Sequence, residues 1–489
     1  MMTFEEFQHL AQQYNVVPLE RTLLADLLTP VSAYLTLRRA NVVSFLFESV
    51  EPNEKIGRFS FVGTEPKVLV RSSREEVTVT RNQQTVKETG NIFDVLQRLS
   101  SQYRQAPGLQ QGGFTGGFVG YVGYECVRHI EDLPLIESQH GDEDDAIVGL
   151  FDTLVRFDHR EHLVTIISNV IIDEARSLEQ QYDVGKKKLE TIELRLRNTT
   201  IATSNFSSNV DGSHVDTDQR EFCDGVLRAK QYIVDGDIFQ IVLSRKLQRS
   251  FSGDPFPVYR ALRVINPSPY LFYLDFGETK LIGSSPEVLV RSNGSTVELL
   301  PIAGTRRRGK GEREDHELEN ELLHDEKELA EHLMLVDLGR NDVGRICDYG
   351  TVHVPVFKRV ERYSHVMHLV SEVQGKLSKG KTAVDILMAC FPAGTVSGAP
   401  KVRAMEIINE LEKKRRGVYA GAVGYIGFDG TMDMCIAIRT IIAHRGVMKV
   451  QAGAGIVADS VPELEYQETV NKSQALIEAI TLATNGLQI

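Results

Sequence analysis

The sequence predicts an α+β fold with antiparallel sheets, and three observations carry the prediction. Strand-like runs cluster between long helical stretches without strict β-α-β alternation. Several of those runs are joined by short turns that suit hairpins, such as Phe428-Asp429-Gly430-Thr431. One polar stretch, 199–217, separates a strand-rich N-terminal region from a larger C-terminal region of mixed helices and strands.

In chain order, Val42 to Ser49 is a β-branched and aromatic run, and Thr153 to Val170 alternates like paired strands. Glu174 to Arg197 is charged and helix-like. The stretch 199–217 is rich in Ser, Thr and Asn and lacks apolar periodicity, so it reads as a loop or linker. The expected division is therefore 1–198, a linker at 199–217, and 218–489. Arg220 to Val234 then shows helical spacing, and strands are expected at Gly283 to Val290, Thr296 to Pro301, Ala422 to Phe428 and Val447 to Ala452. Gly116 to Tyr124 and Gly421 to Phe428 echo one another, with glycines inside both strand-like runs.

Composition narrows the function. The 489 residues are 42% hydrophobic and 25% charged, as in ordinary soluble proteins. A net charge of −12 argues against nucleic acid as the main partner, since phosphate binding needs a basic face. No apolar run reaches the length of a membrane span. Met1 to Leu10 carries Glu5 and Glu6 and lacks a signal-peptide pattern. The five cysteines are widely spaced with no C-x-x-C pair, which fits a reducing cytoplasm and disfavours disulfides or zinc.

The densest chemistry lies between 301 and 342. Pro301-Ile302-Ala303-Gly304-Thr305-Arg306-Arg307-Arg308-Gly309 is followed by a carboxylate-rich helix through Glu328, Glu331 and Asp342. Basic and acidic groups this close suit a polyanionic substrate held partly by Arg and backbone donors and partly through a divalent cation.

An ordered set of segments resembles the chorismate-utilising enzyme family. They are Phe239 to Arg245, Asn266 to Tyr270, Gly283 to Glu287, Pro301 to Arg308, Glu328 to Asp342, Thr395 to Lys401, Gly417 to Tyr425, Gln451 to Val457 and Glu463 to Lys472. The N-terminal region resembles that of the anthranilate-forming branch. The resemblance implies a two-lobed fold whose antiparallel sheets pack in a sandwich surrounded by helices.

The resemblance also implies roles. Glu331 and Glu468 match the carboxylates that bind Mg²⁺, and Glu328 lies one helical turn before Glu331. Gly304, Thr305, Tyr419, Arg439, Gly453, Ala454 and Gly455 match the chorismate-binding positions. Arg439 could clamp a carboxylate, and the turn at Gly453 could offer N–H groups to an anion. Glu287 matches the general acid for the departing C4 hydroxyl, and His368 a histidine linked to pyruvate elimination, with Thr395 near the same centre. Lys401 is a plausible second cation without a settled role.

Two positions divide the family. Gln240 stands where isochorismate and salicylate synthases carry a water-activating lysine. Ala303 stands where aminodeoxychorismate synthase carries a nucleophilic lysine. Both departures imply conversion of chorismate and ammonia to anthranilate and pyruvate, the first committed step of tryptophan biosynthesis. None of the cysteines sits in a glutaminase elbow, so ammonia is expected from a glutamine amidotransferase subunit, in a heterodimer or dimer of heterodimers. Ser49, with Pro269, Tyr270 and Leu271, matches the branch's tryptophan-binding feedback motif. The alternatives are the folate-branch aminodeoxychorismate enzyme and a catalytically silent tryptophan sensor.

Overall fold

A computed structural model describes residues 1–488 apart from 50–56, 109–112, 134–142, 199–203, 210–213 and 363–365. Parts of the polar stretch 199–217, and Tyr363 to His365 just before the His368 strand, thus lie outside the described residues.

Two large antiparallel sheets form the frame, with thirteen and twelve strands among the described residues. The first sheet runs from Val16–Leu24 through Leu163–Ile171, Thr153–Asp158, Phe59–Thr64 and Ser44–Glu48 to Tyr270–Asp275. It continues through Thr279–Ser285, Thr440–His444 and Val447–Ile456 to Gln240–Gly253. The second sheet centres on Val366–Lys376, Val288–Asn293, Thr431–Ile436, Ala422–Gly427, Gly117–Val122 and Ala146–Phe151. Both sheets cross the N-terminal and C-terminal regions. Ser44–Glu48 pairs with Tyr270–Asp275, and Gly117–Val122 pairs with Ala422–Gly427. The two echoed glycine-bearing segments are therefore neighbouring strands, with Gly120 opposite Gly424.

The sheets stack as a sandwich, and the alternation of side chains explains how. Phe272 and Leu274 join Phe45, Phe61, Val119, Ile147 and Val423 in a core between the sheets. Their neighbours Leu271 and Tyr273 face the other way, into a core shared with the helices Pro30–Leu37, Phe256–Ile265 and Pro462–Thr484. The helices Ile92–Ser100, Glu326–Gly344 and Ala383–Cys390 cover the outer face of the second sheet. Strands buried on both faces read as unbroken apolar runs, as Tyr270–Asp275 does.

Two expectations change. Gly283 to Val290 is not one strand. Thr279–Ser285 belongs to the first sheet and Val288–Asn293 to the second, and the chain crosses between them at Pro286 and Glu287. Pro286 has no N–H for a ladder, so the crossing falls there. The stretch 199–217 is also not loop throughout, because Phe206–Ser208 and His214–Val215 pair with the long strand Gln240–Gly253. That strand overhangs its neighbour and leaves backbone groups for short segments to satisfy.

Candidate active site

Two of the side chains singled out in the sequence lie where the chain passes from one sheet to the other. Glu287 occupies one crossing. Arg439 occupies another, between Thr431–Ile436 of the second sheet and Thr440–His444 of the first. Arg439 adopts φ 50°, a left-handed conformation unusual for a side-chain-bearing residue. Holding it there costs roughly 1–3 kcal/mol, the kind of strain that collects at working sites. Its backbone carbonyl accepts from the Ser284 amide at 3.1 Å. Its Nη1 donates to the Lys472 carbonyl at 2.9 Å.

Glu287 lies against a cavity whose walls include Leu335, Leu338, Asp342, Cys390 and Thr395. Burial raises its pKa, opposed by the Thr395 hydrogen bond and the charges of Lys472 and Arg439. Thr395 Oγ1 donates to Glu287 Oε2 at 2.9 Å. His368, on the strand Val366–Lys376, faces Thr305 in register. Its Nδ1 lies 3.0 Å from the Gly304 carbonyl and 3.1 Å from Thr305 Oγ1. A nitrogen aimed at a carbonyl carries the proton, which makes Nε2 the unprotonated nitrogen of the neutral ring. Burial lowers the His368 pKa, so the ring stays neutral to lower pH than usual. Gly304 sits at a bulge with φ 71°, and a Cβ there would meet Leu322 at 2.9 Å.

The carboxylates come from two helices. Asp325 caps Glu326–Gly344 by accepting from the amides of Lys327 and Glu328. Glu331, on that helix, accepts from Gln240 Nε2 at 3.3 Å. Burial raises its pKa, and the like charges of Glu328 and Glu468 push the same way. Glu328 takes Arg306 at 3.2 Å, and Glu468, on Pro462–Thr484, takes Lys472 at 2.5 Å. These donors are all carboxylate oxygens, the type that a hard cation such as magnesium takes. Among the described residues no three His, Cys, Asp or Glu side chains form a complete metal site. Magnesium normally adds water and substrate oxygens to one or two carboxylates.

The cradle around them joins Tyr419, Arg439 and the strand carrying Gly453, Ala454 and Gly455. A Cβ on Gly453 would fall 2.6 Å from the Tyr419 hydroxyl, so glycine is what lets that ring approach the strand. Lys472 Nζ donates to the Gly453 carbonyl at 3.0 Å, which joins cradle and carboxylates. Ala303 is buried on the strand before Gly304 and offers no nucleophile. Lys401 is not free to act as a second substrate cation, because its ammonium pairs with Asp342 at 2.9 Å and both side chains are nearly buried.

Ser49, Pro269, Tyr270 and Leu271 all line a second cavity between the sheets, with Phe47, Phe61, Val423, Tyr425 and Asp433. The Ser49 hydroxyl is buried without a hydrogen-bond partner among the described residues. The Tyr270 hydroxyl donates to Asp433 at 2.6 Å, and Arg291 Nε donates to both.

Sequence reading missed two participants. Lys472 lies four residues after Glu468, an i,i+4 spacing that could have flagged their pairing. Arg416 ends the cationic run Lys413-Lys414-Arg415-Arg416 and looks like a solvated charge, yet it is buried.

Comparison with known proteins identifies the family. Residues 29–478 match the model of the chorismate binding enzyme family. A protein of Acetivibrio thermocellus named anthranilate synthase component 1 is 45% identical over 488 residues, covering 98% of each chain. The crystal structure of anthranilate synthase component I from Streptococcus pneumoniae superposes with a TM-score of 0.74 at 36% identity, covering 93% of this chain and 99% of that one. The menaquinone-specific isochorismate synthase of Escherichia coli shares the fold, with a TM-score of 0.70 at 21% identity and 98% coverage of both chains. The chain belongs to the chorismate binding enzyme family.

Proposed function

We propose that this member of the chorismate binding enzyme family is the synthase component of an anthranilate synthase. It converts chorismate and ammonia to anthranilate and pyruvate, the first committed step of tryptophan biosynthesis. One observation supports the chemistry: burial pushes two titratable groups, which the family resemblance assigns to one reaction, in opposite directions. Burial keeps the Glu287 carboxyl protonated above the usual carboxylate range and keeps His368 neutral below the usual imidazole range. Both directions favour the acid form of the carboxyl and the neutral, basic form of the imidazole. Gln240 and Ala303, in place of lysines, support ammonia rather than water or a side chain as nucleophile.

In the first step ammonia forms a bond to C2. The ring double bonds shift toward C4, and the C4–oxygen bond breaks. Glu287 gives its proton to the departing oxygen, which leaves as water. In the second step the C2 proton passes to His368 Nε2. The electron pair of that C–H bond closes the aromatic ring, and the C3–oxygen bond breaks. The released enolpyruvate takes a proton at carbon to become pyruvate. Arg439 holds a substrate carboxylate, beside Gly453, Ala454 and Gly455, which lie within the strand Val447–Ile456 rather than in the expected turn. Glu331 and Glu468 would hold Mg²⁺, with Glu328 beside them, and the ion would supply positive charge to the bound dianion.

Three features complete the reading. Ammonia comes from a separate glutaminase subunit, in a heterodimer or dimer of heterodimers in the cytoplasm. Tryptophan inhibits by filling the cavity lined by Ser49 and Pro269 to Leu271. The orphaned Ser49 hydroxyl there suits an amino-acid head group, and the aromatic and aliphatic walls suit an indole.

Product identity tests the reading. The purified chain is incubated with chorismate, Mg²⁺ and ammonium at alkaline pH, and products are separated with mass detection. Anthranilate and pyruvate are expected. Aminodeoxychorismate without pyruvate would move the chain to the folate branch, isochorismate would overturn the role of Gln240, and no product would favour a silent sensor.

A further inference from the structure

Arg416 is 1% exposed and nearly every hydrogen on its guanidinium is used. Nη1 donates to the Val396 carbonyl at 2.7 Å, and Nη2 donates to the Val242 carbonyl and to Glu412 Oε1, each at 2.6 Å. Nε donates to Glu412 Oε2 at 2.9 Å. The guanidinium also lies over the Tyr124 ring at 4.9 Å and the Tyr419 ring at 5.6 Å.

The two carbonyls belong to different parts of the site. Val396 follows Thr395, which holds Glu287. Val242 lies two residues after Gln240, which holds Glu331. The Val242 amide also donates to the Ser397 carbonyl at 2.9 Å, so the two segments run side by side. Glu412 in turn accepts from the amide and hydroxyl of Ser244, farther along the same strand. The main chain at Arg416 is held from the N-terminal region. Glu125 Oε1 accepts from the Arg416 amide at 2.6 Å, and Oε2 accepts from the Gly417 amide at 2.9 Å.

We propose that Arg416 is a positioning residue for the reaction, and that Glu125 holds Arg416 in place. One guanidinium sets the spacing of the Thr395–Glu287 acid, the Gln240–Glu331 carboxylate and the Tyr419 wall of the cradle. Only arginine offers a planar fork that reaches two carbonyls and a carboxylate together, and lysine, a point donor, cannot. A buried ion pair is weak evidence for stability, because apolar replacements of similar volume are often neutral or stabilising. Stability and positioning can therefore be separated by experiment. The inference rests on the anthranilate-forming reading.

The test compares the parent chain with Arg416→Met, Arg416→Lys, Arg416→Ala and Glu125→Gln. Thermal unfolding, kcat and KM for chorismate, and Mg²⁺ binding by calorimetry without substrate are measured for each. In folded Arg416→Met, kcat/KM is expected to fall roughly 100-fold, the scale of a small misplacement of reacting groups. Mg²⁺ binding is expected to weaken, and Arg416→Lys should not recover either property. Guanidinium ion added to Arg416→Ala should restore part of the activity, and Glu125→Gln should show a smaller loss of the same kind. A folded Arg416 variant with parental kcat/KM and Mg²⁺ affinity would overturn the proposal. So would losses that track the folded fraction alone without guanidinium rescue. If the Arg416 variants do not fold, parental behaviour of Glu125→Gln overturns it instead. Failure of the parent itself to form anthranilate would count against the preceding reading, and the substrate-free Mg²⁺ titrations would still decide the role of Arg416.

Discussion

The candidate active site and the Ser49 cavity hold their polar groups in different ways. Across the candidate active site, charged and polar groups hold one another, as in Thr395 to Glu287, Gln240 to Glu331 and Lys472 to Glu468. At the Ser49 cavity, largely apolar and aromatic walls, with the paired Tyr270 and Asp433 among them, enclose a Ser49 hydroxyl that has no partner among the described residues. The first has its charges arranged before substrate arrives, as stabilisation of developing charge requires. The second leaves a polar group unsatisfied, as a site completed by its ligand would. Yet they share a strand pair. Tyr270, in the wall of the second cavity, is opposite Ser285 in register. Ser285 donates to the Ile436 carbonyl at 2.7 Å, and the Ile436 amide donates back to the Glu287 carbonyl. The catalytic crossing and the proposed regulatory pocket are thus ends of one hydrogen-bonded segment.

The largest effect expected at the charged site is loss of Mg²⁺-dependent turnover in Glu331→Gln, with the fold retained by circular dichroism. Full activity in a Mg²⁺ titration would remove Glu331 from the metal site. Next comes Glu287→Gln, which should slow anthranilate formation by about 10²–10⁴-fold, the usual worth of a general acid. Stopped assays of pyruvate release check this, and a parental rate would take Glu287 out of the reaction.

A subtler change separates the acid from its surroundings. The Thr395 hydrogen bond favours the ionised form of Glu287 and so opposes the raising effect of burial. Thr395→Val should therefore raise the Glu287 pKa further. Because the acid form is the active one, the alkaline fall in kcat should move to higher pH, with rates expressed against free ammonia. A shift to lower pH would reverse the assignment. At the apolar site, Ser49→Phe should relieve tryptophan inhibition and leave ammonium-dependent turnover intact. An unchanged inhibition curve would separate that cavity from regulation. The smallest effect belongs to neither cavity's chemistry. Thr382 caps the helix Ala383–Cys390 in a reciprocal capping box with Asp385. Thr382→Ala should lower stability by about 1 kcal/mol in urea unfolding, with kcat little changed.

Much of this was legible in the sequence because it is local. Strand runs such as Val42 to Ser49 and helical spacing such as Arg220 to Val234 depend on near neighbours and on preferences that a residue carries with it. The fold class, and the motifs from Phe239 to Lys472 that mark the family, were readable for the same reason. The sequence also determined the substitutions at Gln240 and Ala303, since the absence of a lysine needs no structure to see. What tertiary structure alone decided is pairing across long separations. It divided Gly283 to Val290 between two sheets and placed Glu287 at the crossing. It bound Lys401 to Asp342 and buried Arg416, the last member of a cationic run. Burial and charge pairing are set by groups distant in the chain, and a charged side chain in isolation carries no mark of whether it will face water or a carbonyl.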